Sequence, residues 1–179
     1  FHLHIRPEEL ADTVILVGDP GRVDMVSSFF QTIEFKRESR EFVSCTGVYN
    51  GKRMTVLSTG IGCDNLDIVM NELDALVNID FDTKEVKKEL KSLRILRIGT
   101  SGSIQPDIPV GAYVFSHISL GADGLLNWYA NRDEVSYKEM EEAFVRDVNW
   151  DENLPRPYFI KAADELVDLF KDCTHKGVT

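Results

Sequence analysis

The chain has 179 residues, with 20 Lys+Arg against 30 Asp+Glu, a formal net charge of −10, 43% hydrophobic and 28% charged residues. This is globular composition with enough apolar surface for a core; no apolar run approaches the ~18 residues of a membrane span, and the acidic balance opposes nucleic acid and anionic lipid as partners. Three scattered cysteines (Cys45, Cys63, Cys173) and four histidines without ligand spacing (His2, His4, His117, His175) suit reduced thiols in a cytoplasmic protein, not a disulfide framework or a zinc site.

The opening Phe1-His2-Leu3-His4 has neither the charge nor the apolar run of a secretory leader, and it lacks an initiator methionine, so a start inside a longer chain is expected. Val14-Ile15-Leu16-Val17 is a short β-branched run before the turn Gly18-Asp19-Pro20-Gly21, which predicts a buried strand. Asp19 suits an N-cap and Pro20 a first helical position, with Val23, Val26 and Phe30 following at helical spacing. Residues 41–48 and 53–58 read as strands around the hairpin signal Asn50-Gly51. Leu66, Val69, Met70, Leu73, Leu76 and Val77 form the stripe of an amphipathic helix, with Asp64 and Asp67 near its start.

Residues 82–91 read as a charged surface segment, 93–98 as a strand, 107–109 as a turn and 110–118 as strand-like. Helices are expected over 133–145 and 157–171, with a loop over 148–157. In the last helix Ile160, Ala163, Leu166, Val167 and Phe170 make the apolar face. Alternating strands and helices with a hairpin insert predict an α/β fold, a mixed central sheet flanked by helices, in one domain over 1–179.

One device repeats. Three strands each enter a small-residue turn: Gly18-Asp19-Pro20-Gly21-Arg22, Thr59-Gly60-Ile61-Gly62 and Gly99-Thr100-Ser101-Gly102. Ligands of open α/β sheets sit beyond the carboxyl ends of strands, where glycine lets backbone N–H groups come close. Arg22 follows the first turn and Arg97 precedes the third; guanidinium groups match phosphate oxygens in a fork, and Thr100 and Ser101 add hydroxyls. The pattern outlines an anion site at Arg22, Arg97 and Thr100. It stands beside a plainer reading, that turns need glycine anyway, and none of the three fits a dinucleotide or P-loop fingerprint.

At these residues the chain resembles the nucleoside phosphorylase family that includes uridine phosphorylase and bacterial hexameric purine nucleoside phosphorylase. The strings that carry the resemblance, in the family's order, are Phe1-His2-Leu3, Val14 to Val23, Arg40-Glu41-Phe42, Ser58-Thr59-Gly60-Ile61-Gly62 and Leu96 to Pro106. The last of these, continuing through Val110-Gly111, and Asp123 to Asn127 are closest to the uridine phosphorylase branch. The resemblance implies that Gly18, Arg22, Arg40, Arg97 and Thr100 bind phosphate, with Arg22, Arg97 and Thr100 catalytic. It implies that His2 contacts the ribose 5′-hydroxyl and that Ser101 and Gly102 line the nucleoside pocket. Arg40 and His2 would act on a neighbouring subunit's site, so a homo-oligomer is implied, a dimer or a hexamer built from dimers. Glu41 and Ile61 match positions that hold a monovalent cation in some members; the third position is Asn65 here, where those members have Ser.

The activity implied is phosphorolysis of a pyrimidine nucleoside, uridine by the branch, with inorganic phosphate as co-substrate and no cofactor beyond the monovalent cation that some members hold. The family's base- and ribose-recognition residues come from its C-terminal half, and Lys176-Gly177-Val178-Thr179 resembles the start of the core strand before them, so a chain cut short is expected. Glu139-Met140-Glu141 imitates the ribose motif but comes too early, on a helix expected to be exposed. Two alternatives remain open: a nucleosidase of the same fold that uses water, and a non-catalytic nucleoside- or phosphate-binding fragment.

Overall fold

The computed structural model describes residues 1–172 and, as backbone only, 175–178. By contact the chain forms two compact units, 1–100 and 101–179, each described by itself.

In the first unit, β1 (Thr13–Val17) leads through the Gly18–Asp19 turn into α1 (Pro20–Ser27). Then come β2 (Thr32–Ser39), β3 (Phe42–Tyr49), β4 (Lys52–Ser58), α2 (Cys63–Asn78), the two-residue strands β5 (Ile79–Asp80) and β6 (Glu85–Val86), and β7 (Arg94–Ile98). The main sheet has the order β2-β3-β4-β1-β7. Its β4, β1 and β7 run parallel, and β2, β3 and β4 form an antiparallel meander. This is the α/β class with a mixed sheet that the sequence predicts.

Alternation along β1 divides the core, because successive side chains leave opposite faces of a strand. Val14 and Leu16 pack with Leu3, Leu10, Phe42, Leu57 and the α2 residues Val69, Leu73 and Leu76. Val17 packs with Val23 of α1, Val43, Cys45 and Val56, with Ile15 against them. Both faces of the central strand are therefore covered, one by α2 and the other by α1. Met70, expected in the α2 stripe, is instead exposed. The β3–β4 hairpin turns on Asn50 (φ 47°) and Gly51 (φ 74°), the left-handed pair that matches strand twist.

Strand β2 has no counterpart in the sequence reading. It is an edge strand, nearly all of it exposed, so its Glu34-Phe35-Lys36-Arg37-Glu38 run shows no buried alternation. Ion pairs hold it instead: Lys36 to Asp24, Arg53 to Glu34, and Arg37 to the buried Glu9.

In the second unit, β8 (Val114–Gly121) is central in a sheet of order β10-β8-β9. It is followed by α3 (Arg132–Val135), α4 (Lys138–Asp147), β9 (Tyr158–Lys161), α5 (Asp164–Phe170) and β10 (His175–Val178). β9 pairs antiparallel and β10 parallel with β8.

Two expected helices are corrected here. The one over 133–145 breaks at Ser136, because the Tyr137 N–H leaves the helix and donates to the Phe159 carbonyl at 2.7 Å. The one over 157–171 begins as β9: Tyr158-Phe159-Ile160 is aromatic and β-branched, and Phe159 is buried against Phe144. Only its second half is helical. β8 also starts at Val114, four residues later than the strand-like run. Glu141, expected on an exposed helix, is 2% exposed; it accepts from Ser136 Oγ at 2.8 Å and pairs with Arg132 and Arg156.

Candidate functional site

The three parallel strands end level with one another: Val17 is in register with Ser58 of β4 and with Ile98 of β7. The turns beginning at Gly18, Thr59 and Gly99 therefore leave one edge of the sheet together. The Thr59 N–H donates to the Val17 carbonyl at 2.8 Å, and a Cβ added to Gly18 would lie 4.0 Å from the Gly60 carbonyl oxygen. Asp19 caps α1 by accepting from the Gly21 N–H at 2.7 Å, which leaves Arg22 in the first turn of that helix.

The β2–β3 turn reaches the same edge. Ser58 Oγ donates to the Glu41 carbonyl at 2.7 Å and accepts from the Val43 N–H at 2.7 Å. Beside Glu41, the exposed Arg40 sits in the left-handed region (φ 55°), a conformation that costs a non-glycine residue roughly 1 kcal/mol or more. Arg97 bends forward along its strand, with Nη1 2.9 Å from where a Cβ on Gly99 would stand. Glycine at 99 leaves the guanidinium that space.

Within the first unit, then, Gly18, Arg22, Arg40, Arg97 and Thr100 gather at one sheet edge, where α1 and α2 both begin. Among the described residues, Arg22, Arg40 and Arg97 have no carboxylate partner, whereas Arg37, Arg53, Arg132, Arg146 and Arg156 are each in an ion pair. Three guanidinium groups on a chain of net charge −10 thus remain available to an anion. Guanidinium groups bind a phosphate dianion through charge-assisted, forked hydrogen bonds. Ser101 and Gly102 belong to the second unit, in an exposed stretch without regular structure.

His2 lies elsewhere in the first unit, and the residue that holds it, Glu72 of α2, is absent from the sequence reading. Glu72 Oε1 lies 2.6 Å from His2 Nδ1, and its carboxylate accepts from the backbone nitrogens of Phe1, His2 and Leu3 at 2.8–2.9 Å. Burial alone would push the Glu72 carboxyl up; the N–H donors of Leu3 and His2, the Phe1 amine and the His2 ring outweigh it and hold the group at about 2. The available signal was a glutamate beside Leu73 in the buried stripe, where a lone charge needs partners.

Glu41, Ile61 and Asn65 do come together: a Cβ on Gly60 would meet Asn65 Nδ2 at 2.7 Å and Glu41 Cγ at 2.8 Å. Asn65 Nδ2, however, donates to the Ile61 carbonyl at 3.2 Å. Cys45 and Cys63 are free thiols; Cys173 lies outside the described residues.

Residues 12–179 match the family described as the phosphorylase superfamily. The chain belongs to that superfamily. Among its phosphorylase relatives, a DeoD-type purine nucleoside phosphorylase of Thermoanaerobacter sp. is 34% identical over 127 residues, 70% of this chain and 48% of the relative. A uridine phosphorylase of Thermococcus kodakarensis is 30% identical over 141 residues, 79% of this chain and 46% of the relative. A Trypanosoma brucei nucleoside phosphorylase, described as showing uridine phosphorylase activity, superposes with a TM-score of 0.84 at 28% identity, covering 99% of this chain and 64% of its own. The chain spans about half the length of the curated phosphorylases it matches.

Proposed function

We propose that the protein carrying this chain is a nucleoside phosphorylase, a pentosyltransferase that cleaves the N-glycosidic bond of a pyrimidine nucleoside, uridine foremost, with inorganic phosphate. The observation that carries this reading is that Arg22 and Arg97 stand at the carboxyl ends of parallel strands without carboxylate partners among the described residues, with Arg40, likewise unpaired there, at the same end to serve a neighbouring copy. A nucleosidase, whose nucleophile is water, has no use for three such groups. Uridine is favoured over a purine nucleoside by the Leu96 to Pro106 string and by the activity described for the trypanosomal structure.

In this mechanism Gly18 and the Thr100 hydroxyl join the arginines in holding phosphate, and positioning does most of the catalytic work. A phosphate oxygen attacks the anomeric carbon as the glycosidic bond breaks, giving ribose 1-phosphate and the free base. Positive charge grows on the ribosyl centre in the transition state, and the dianion held against it stabilises that charge. No side-chain nucleophile is required. Ser101 and Gly102 line the nucleoside pocket in this reading. Arg40 and His2 serve the site of a neighbouring copy, so the working unit is at least a dimer. Free Cys45 and Cys63 suit a reducing, cytoplasmic compartment.

The test uses the protein expressed from its natural reading frame, given uridine or inosine with and without phosphate, and measures ribose 1-phosphate. Formation from uridine, and only with phosphate, is expected. Base release without ribose 1-phosphate would make the protein a nucleosidase, and binding without cleavage would make it a carrier of the ligand.

A further inference from the structure

We infer that Glu72 is a positioning residue for His2: it clamps the Phe1–Leu3 backbone and the ring Nδ1, so that Nε2 is presented to a ligand hydroxyl as a hydrogen-bond acceptor. The inference rests on the nucleoside reading above, in which that hydroxyl is the ribose 5′-hydroxyl. An ionised carboxylate only accepts, so the His2 Nδ1 that lies 2.6 Å from Glu72 Oε1 must carry the proton between them. In the neutral ring the lone pair then falls on Nε2. Backbone bonds fix the segment as well: Glu72 accepts from the His2 N–H at 2.8 Å and from the Leu3 N–H at 2.9 Å, and Leu3 is anchored in the core at 1% exposure. The Phe1 ring closes against the imidazole edge-on, centroids 4.9 Å apart. The His2 side chain nevertheless keeps 31% of its surface, against 18% for Glu72, so a held ring still faces outward. This is the arrangement by which a carboxylate behind a histidine sets its tautomer and aim.

Two measurements test it on the natural protein. In nitrogen NMR of the histidine rings, with His2 assigned by its loss in His2→Ala, neutral His2 is expected to carry its proton on Nδ1, and Glu72→Gln to mix the two tautomers. A proton on Nε2 in the wild type overturns the inference. In kinetics, the preference for uridine over 5′-deoxyuridine in kcat/KM is expected to fall roughly tenfold in both Glu72→Gln and His2→Ala, and no further in the double variant. Equal losses on both substrates in Glu72→Gln, leaving the preference intact, would mean a merely structural role and would also overturn it. If the wild type cleaves no nucleoside, the functional reading falls, while the ring spectrum still decides the clamp.

Discussion

Glu72→Gln is also the substitution whose effect on stability follows most closely from the structure. The wild-type carboxyl sits at about 2 against an ordinary value of 4.5. In this chain, whose free Phe1 amine supplies part of the shift, that gap corresponds to about 3 kcal/mol of folding free energy at neutral pH. Because the folded value lies below the unfolded one, this stabilisation is full above pH 4.5 and is lost as the pH falls from there towards 2. Glutamine keeps the shape but removes the charge and one of the two accepting oxygens. Most of the 3 kcal/mol should therefore disappear, roughly a 6–12 °C fall in Tm for a chain of this size. Urea or thermal unfolding of both proteins from pH 8 to 3 provides the assay. A constant difference above pH 5 that narrows below pH 4.5 is expected. A difference that is absent at pH 7, or that stays the same down to pH 3, would refute the assignment of the low value to the Phe1–Leu3 clamp.

Other substitutions separate fold from site. Arg97→Ala removes an exposed guanidinium that has no carboxylate partner, so stability should change by no more than about 0.5 kcal/mol; phosphate should lose about 1.5–3 kcal/mol of charge-assisted bonding, seen as a roughly 10- to 100-fold rise in its KM. Gly60→Ala puts a Cβ 2.7 Å from Asn65 Nδ2 at a φ of +70°, and should cost about 1–2 kcal/mol by thermal unfolding. Glu141→Gln strips the buried carboxylate from Arg132 and Arg156, and urea unfolding should show a loss of about 3 kcal/mol.

Much of the first unit was legible because local signals and burial agree there. Asp19-Pro20 caps and starts α1, Asn50-Gly51 turns the hairpin, and α2 carries its apolar stripe over four turns. The second unit was less legible because long-range pairing overrides local periodicity. Tyr158-Phe159-Ile160 satisfies a helical spacing as well as a strand, and only the partner β8 decides between them. The break at Ser136 likewise depends on a carbonyl more than twenty residues away, that of Phe159. Edge strand β2 lacks a buried face and so leaves no pattern to read. Of the candidate site, Arg22 and Arg97 could be chosen from their place beside glycine turns. Arg40 could not, since its company depends on the pairing of β3 with β4, and it entered only through resemblance. Glu72 was invisible because its partners lie seventy residues away at Phe1 to Leu3.

The central claim is that Arg22 and Arg97 of one copy, with Arg40 of a neighbouring copy, hold the phosphate that breaks the glycosidic bond. Its most direct test is the rate of uracil release from uridine by the natural protein as phosphate is raised from zero, for the wild type and for Arg22→Ala and Arg97→Ala. A rate that starts near zero, saturates with phosphate in the wild type and stays far below it at the same phosphate concentrations in both variants is the expected result. Uracil release that ignores phosphate, or that survives unchanged in both variants, would contradict it.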